Sequence, residues 1–122
     1  MKAFTRLEHR ELASIAEKGL RGLGFTFLKN GGGNVIEFEV QSPCRCIVSV
    51  QNLTRVAPFL PFIPRKKVES MIEIRRLIGG GEREDALSKV AESIVGALSP
   101  DVPRSEWEDL DEFVRPENTR AP

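Results

Sequence analysis

The sequence has little of the chemistry that most enzymes concentrate at a catalytic centre. Its single histidine, His9, leaves no second imidazole to complete a metal pair, and the Gly-x-Ser-x-Gly elbow of a serine hydrolase does not occur. Two cysteines, Cys44 and Cys46, are too few for the disulfide scaffold of a small secreted protein. We therefore interpret His9 as structural, identify no catalytic residue, expect no metal and no cofactor, and favour a non-catalytic protein over an enzyme.

The sequence also lacks a long apolar run and an excess of charge of either sign. No segment is long and apolar enough to span a bilayer, and the first residues lack the apolar region of a signal peptide. Lysine plus arginine and aspartate plus glutamate both number 18, so the total charge favours no class of partner. We expect a soluble cytoplasmic protein that does not associate with membranes.

The residues that are present divide the chain into a body and a tail. A length of 122 residues is typical of one domain, and a hydrophobic fraction of 40% is compatible with a globular core. Residues 101–122 carry 3 basic and 7 acidic groups, a net charge of −4. The sequence therefore predicts a single α+β domain over residues 1–100 and an acidic C-terminal tail over residues 101–122.

Helix and strand patterns fill the first half of the chain. Apolar residues spaced three and four apart predict a helix over residues 5–21, and Thr5 with Glu8 fits a capping box at its start. Alternation of apolar and polar residues then predicts three strands, over residues 25–28, 35–41 and 44–51. Because the turns between them are short, we expect an antiparallel meander with the helix covering one face.

A proline-rich apolar segment, from Val56 to Pro64, follows the meander. Proline fixes φ and lacks an N–H, so a proline at every third position indicates extended polyproline II backbone and neither a helix nor a central strand. Two interpretations stay open: a strap across the domain's own core, or an exposed strip that docks on a partner. The candidate partner-binding residues in this strap are Phe59, Phe62 and Ile63.

Helical patterns dominate after the strap. We predict a helix over residues 65–78, with a strand through residues 71–75 as the alternative that periodicity leaves open. A further helix is predicted over residues 82–98, and Ser105 with Glu108 fits the start of a short acidic tail helix. The predicted fold class is α+β: an N-terminal helix, a three-stranded antiparallel β-meander, a Pro-rich apolar strap, two C-terminal helices and a tail helix.

The predicted tail helix carries an apolar stripe among acidic residues. The stripe consists of Trp107, Leu110 and Phe113. Helices of this composition commonly dock into a groove with a basic rim. We predict that these three residues bind a partner surface, which is either the chain's own body or a second protein.

Five basic residues of the predicted 65–78 helix support an alternative function. They are Arg65, Lys66, Lys67, Arg75 and Arg76. The order of a helix, three strands and a helix is similar to that of double-stranded-RNA-binding domains, which recognise phosphates and A-form shape. The strap, the further helix and the acidic tail depart from that family, and we do not assign the chain to it.

Cys44 and Cys46 stand two residues apart on a predicted strand, so both thiols point to the same side. We interpret them as small apolar core residues. The alternatives are a redox pair and a metal site shared by two subunits, since tetrahedral zinc requires four ligands.

The predicted function is a non-catalytic protein-interaction or assembly module that uses the strap and the Trp-bearing tail helix. We expect a homodimer, because a three-stranded sheet leaves two open edges. The alternative is a nucleic-acid-binding protein that uses the basic residues of the 65–76 helix. Binding of that kind would weaken with salt, because phosphate contacts release counterions.

Overall fold

The computed structural model describes residues 1–56, 68–76 and 84–108. Their strands form one five-stranded antiparallel sheet in the spatial order β1-β5-β4-β3-β2. The strands are β1 (Lys2–Thr5), β2 (Thr26–Gly31), β3 (Val35–Ser42), β4 (Cys46–Asn52) and β5 (Ser70–Arg76). The helices are α1 (His9–Gly22), the single turn α2 (Leu53–Val56) and α3 (Glu84–Leu98), and a 3-10 turn follows at Arg104–Glu106.

The meander of β2, β3 and β4 forms as the sequence predicts. One face of β3 and β4 lies in the core, with Ile36, Phe38, Val40, Cys46, Val48 and Val50 all buried. The register aligns Phe38 with Val48 and Val40 with Cys46, so apolar side chains of neighbouring strands form one layer. Among the described residues, Phe38 is the largest fully buried side chain, and it anchors this layer.

Helices α1 and α3 pack with this layer in one hydrophobic core. α1 begins at His9 because the Glu8 carboxylate accepts hydrogen bonds from the backbone N–H groups of Arg10 and Glu11. The two helices approach closely at Gly19, where an added Cβ would lie 3.3 Å from Leu98 Cδ2. This contact explains why a glycine interrupts an otherwise regular apolar stripe.

The predicted three-stranded sheet is wrong, because β1 and β5 add two strands to the meander. The helix predicted over residues 65–78 is also wrong across β5, where the strand alternative is confirmed. Ile72 and Ile74 are fully buried, whereas Glu73 between them stays half-buried on the opposite face. Alternation with a period of two prevails here because β1 and β4 both pair with the backbone of β5.

Strand β1 occupies residues that the sequence pattern assigns to the lead-in and the cap of the first helix. Thr5 belongs to β1, and its Oγ1 accepts a hydrogen bond from the N–H of Leu7, so the predicted capping box is wrong. Ala3 pairs with Ile72 and is fully buried. A strand of four residues is too short to show a reliable alternation, and its tertiary partner decides its conformation.

The predicted tail helix is wrong at its start. Residues Arg104–Glu106 form a 3-10 turn, and Trp107 after them is extended, with φ −86° and ψ 135°. In the described ranges α3 is therefore the one α-helix of the C-terminal part. The predicted strap is wrong at its first residue, because Val56 ends α2. The rest of the strap, residues 57–64, and the rest of the predicted tail helix lie outside the described residues, and the division of the chain after residue 100 stays a prediction.

Candidate interaction site at the edges of the sheet

Most of the site residues predicted from the sequence lie outside the described residues. These are Phe59, Phe62, Ile63, Arg65, Lys66, Lys67, Leu110 and Phe113. Trp107 is described and lies beside β1, whereas Arg75 and Arg76 lie in β5. The structure therefore does not bring the predicted partner-binding residues together on one described surface, and their roles stay predictions.

The residues around Trp107 cover the outer edge of β1. Trp107 forms an antiparallel bridge with Ala3, and the N–H of Glu108 donates to the carbonyl oxygen of Lys2 at 2.8 Å. The Trp107 ring packs, partly buried, against the hydrophobic core, and its Nε1 has no hydrogen-bond partner. Val102, fully buried, anchors the start of this segment. We name residues 102–108 the β1 cap.

At the opposite end of the sheet, β2 is the edge strand, and no other described strand pairs with its outer side. The N–H of Gly32 donates to the carbonyl oxygen of Val35, and the N–H of Asn52 donates to that of Asn34. The carbonyl of Val35 therefore points toward β2, and the carbonyl of Asn34 points toward β4. In an antiparallel pair, the backbone groups of every second residue face the neighbouring strand. Counted from Gly32, the backbone N–H of Leu28 faces β3, whereas the backbone N–H of Lys29 points outward, away from the sheet. We name the outward-facing backbone N–H and C=O groups of β2 the β2 edge.

The large apolar side chains that are exposed in the described ranges lie on three elements at this end of the sheet. Leu28, 51% exposed, lies on β2 itself, and Val35, 40% exposed, begins β3. Leu23, 37% exposed, caps the C-terminus of α1 shortly before β2 begins at Thr26. Of the three, Leu28 lies on the edge strand itself, and an exposed apolar side chain on such a strand is compatible with an interaction surface.

The helix side of β2 is tied to α1 by a compact group of charges. The Glu17 carboxylate accepts hydrogen bonds from Arg21 at 2.7 Å and from Lys29 at 3.1 Å. The hydrogen bond from Arg21, followed by that from Lys29, lowers the pKa of Glu17 below its usual range. The Arg21 guanidinium also lies 5.3 Å from the centre of the Phe27 ring, a cation–π contact.

The face of the sheet opposite the helices carries a charged cluster at its centre. Arg75 Nη2 lies 3.3 Å from Glu37 Oε2, and its Nε lies 3.9 Å from Glu73 Oε1. Since β4 lies between β3 and β5, the Arg75 side chain must cross over β4 near Ser49, which pairs with both glutamates. Ser49 is only 1% exposed, and its hydroxyl has no hydrogen-bond partner. Arg75 is thus held by carboxylates of its own sheet and does not stand on a basic helix.

The residues that could carry chemistry lie in the core. Cys44 and Cys46 are both buried and are not joined in a disulfide. His9 is 3% exposed, on the buried side of α1, and its Nε2 has no hydrogen-bond partner. Within the described ranges, no three His, Cys, Asp or Glu side chains are grouped so that they could hold a metal ion.

None of the helices in the described part of the chain is long and apolar enough to cross a membrane. The chain matches no protein-family model, no curated protein and no solved structure. Inference about function therefore depends on the geometry of this chain alone.

Sequence reasoning did not single out Leu23, Leu28 and Val35 as candidate site residues. The pattern Asn30 to Asn34 does indicate a hairpin that pairs β2 with β3. Nothing in the pattern shows whether another strand pairs with the other side of β2, because that depends on the order of all five strands.

Proposed function

We propose that the protein is a non-catalytic interaction and assembly module that forms a homodimer through the β2 edge. The observation that carries the proposal is the contrast between a covered β1 edge and an exposed β2 edge in the described residues. An unpaired edge strand offers a row of N–H and C=O groups that readily pairs with another chain. In a dimer with a two-fold axis, the β2 edge of each copy would pair antiparallel with the β2 edge of the other. The N–H and C=O groups of both copies would then be hydrogen-bonded, because antiparallel pairing is self-complementary.

The charges at β2 are compatible with pairing between copies. Lysine on an edge strand usually prevents such pairing, and a bulge between Thr26 and Phe27 restricts it further. Lys29, however, lies on the helix side and pairs there with Glu17, which also pairs with Arg21. Leu28, on the opposite side, would lose its exposure against the second copy. Pairing would therefore be confined to the stretch of β2 after the bulge.

The test uses Lys29→Pro, with Lys29→Ala as the matched control. Both substitutions remove the contact with Glu17, but only proline removes the outward N–H that a second copy would bind. We expect light scattering to show a dimer for the wild type and for Lys29→Ala, at low and at high salt, and a monomer for Lys29→Pro.

A wild-type monomer, or a Lys29→Pro variant that remains dimeric, would contradict the β2 edge as the interface. The same measurement with a short duplex RNA or DNA tests the alternative of nucleic-acid binding. A monomer that binds the duplex and releases it at high salt would favour that alternative, because phosphate contacts depend on counterion release.

A further inference from the structure

A cleft of about 340 Å³ opens between the β1 cap and the strand that it covers. Its apolar lining comes from both parts: Phe4 from β1, Val102 and Pro103 from the cap, and Val68 from the residues before β5. This volume lies at the low end of the range for small-molecule sites, which are mostly apolar with a few placed polar groups. The cleft therefore has the size and lining for a small apolar body.

One cation on the cleft lining has no intramolecular partner in the described part of the chain. Arg6 lines the cleft and is exposed, and the described ion pairs and hydrogen bonds of the protein do not involve its side chain. Three other arginines of the described chain are paired: Arg21 with Glu17, Arg75 with Glu37, and Arg104 with Glu92. A guanidinium is a planar donor that matches the geometry of a carboxylate.

The chemistry of Arg6 favours a ligand with a negative charge. A carboxylate can place its charge beside the guanidinium, and the two planar groups can form paired hydrogen bonds. The apolar remainder of the lining then accommodates an alkyl or aryl group.

We infer that the cleft between the β1 cap and β1 binds a small monocarboxylate with an apolar body. Arg6 holds the carboxylate, and Phe4, Val68 and Pro103 contact the apolar body. This site lies at the covered end of the sheet and is independent of the dimer proposed for the β2 edge.

The probe is octanoate, added to the uniformly ¹⁵N-labelled full chain, with two-dimensional amide spectra recorded over the titration. We expect saturable shifts of the amides of Phe4, Arg6, Val68 and Val102. Octanamide, which keeps the alkyl group and lacks the charge, should bind about tenfold more weakly, because hydrogen bonds to charged groups are the stronger ones.

The variant is Arg6→Gln, and the matched control is Arg10→Gln, an exposed arginine of α1 that does not line the cleft. We expect Arg6→Gln to weaken octanoate binding about tenfold and Arg10→Gln to leave it unchanged. Three results would overturn the inference: shifts that do not saturate or do not map to the cleft, equal affinity for octanamide, or equal loss in both variants.

Discussion

At one end of the sheet, β1 is hydrogen-bonded to Glu108 and bridged to Trp107. At the other end, no described strand pairs with the outer side of β2. Both strands are short and both carry apolar residues. The difference comes from a segment that is distant in sequence from β1, because the β1 cap belongs to the C-terminal part of the described residues. The comparison shows that an edge strand becomes an interior strand only when another segment supplies its hydrogen bonds.

Removal of the Trp107 side chain should have the largest effect on the covered end. We expect Trp107→Ala to lower the free energy of unfolding by about 3 kcal/mol, because the ring packs against the core. Trp107→Phe is the control and should cost much less, since it keeps an aromatic ring and removes the indole N–H that has no partner. Urea denaturation followed by circular dichroism measures both. Equal stability of Trp107→Ala and the wild type would show that the cap does not hold this end.

At the exposed end, Gly31→Ala should have the largest effect. Gly31 has a φ of +85°, and an added Cβ would collide with the carbonyl oxygen of Val35, so we expect a loss of about 2 kcal/mol. Gly33→Ala is the matched control, because no heavy atom lies within 4 Å of an added Cβ there. Thermal unfolding of both variants measures the difference. Equal melting temperatures would mean that the hairpin does not determine the position of β2.

Leu28→Asn tests the exposed end without altering the core. Leu28 is 51% exposed, so we expect the stability of the monomer to change little. If the β2 edge forms the dimer, the dimer dissociation constant should rise about tenfold, since apolar area at the interface is lost. Sedimentation equilibrium gives the constant, and Ser14→Asn on the exposed side of α1 is the control. A rise of the same size in both variants would argue against a specific interface.

Glu17, on the helix side of β2, should make the stability of the protein depend on pH. Hydrogen bonds from Arg21 and then Lys29 lower the pKa of Glu17 from its usual value of 4.5, so the folded protein keeps the carboxylate ionised at lower pH than the unfolded chain does. The contribution of the ionised Glu17 to the free energy of unfolding is complete at a pH above the usual pKa, and it is lost as the pH falls through the lowered pKa. We expect Glu17→Gln to cost about 0.5–1 kcal/mol in urea denaturation at about pH 7, and a smaller amount at about pH 3. A difference that does not change with pH would contradict this assignment.

The smallest effect is expected at the covered end, for Arg104→Gln. Arg104 forms an ion pair with Glu92 of α3, but both side chains are at least half exposed, at 59% and 50%. Such pairs contribute little because water screens them, so we expect a loss of about 0.3 kcal/mol in urea denaturation. A loss comparable to that of Trp107→Ala would show that the ion pair, rather than the ring, holds the cap.

Sequence periodicity predicts the elements whose pattern is long. The three-and-four spacing of α1 and α3 and the alternation of β3 and β4 all correspond to observed elements. These segments are predictable because each buries one continuous side, and the buried residues recur with the period of the backbone. The boundaries are less predictable: Thr5 suits a helix cap in isolation, but it pairs with Ser70 as part of β1.

The sequence by itself thus determined an α+β chain with a β2–β3–β4 meander and two amphipathic helices, because local alternation and helical spacing are properties of neighbouring residues. Tertiary structure alone decided that residues 70–76 form a strand between β1 and β4. It also decided that Trp107 covers β1, whereas in the described part of the chain β2 stays exposed. Pairing of strands and covering of edges depend on contacts between residues far apart in the chain, and no local pattern encodes which distant segment supplies them.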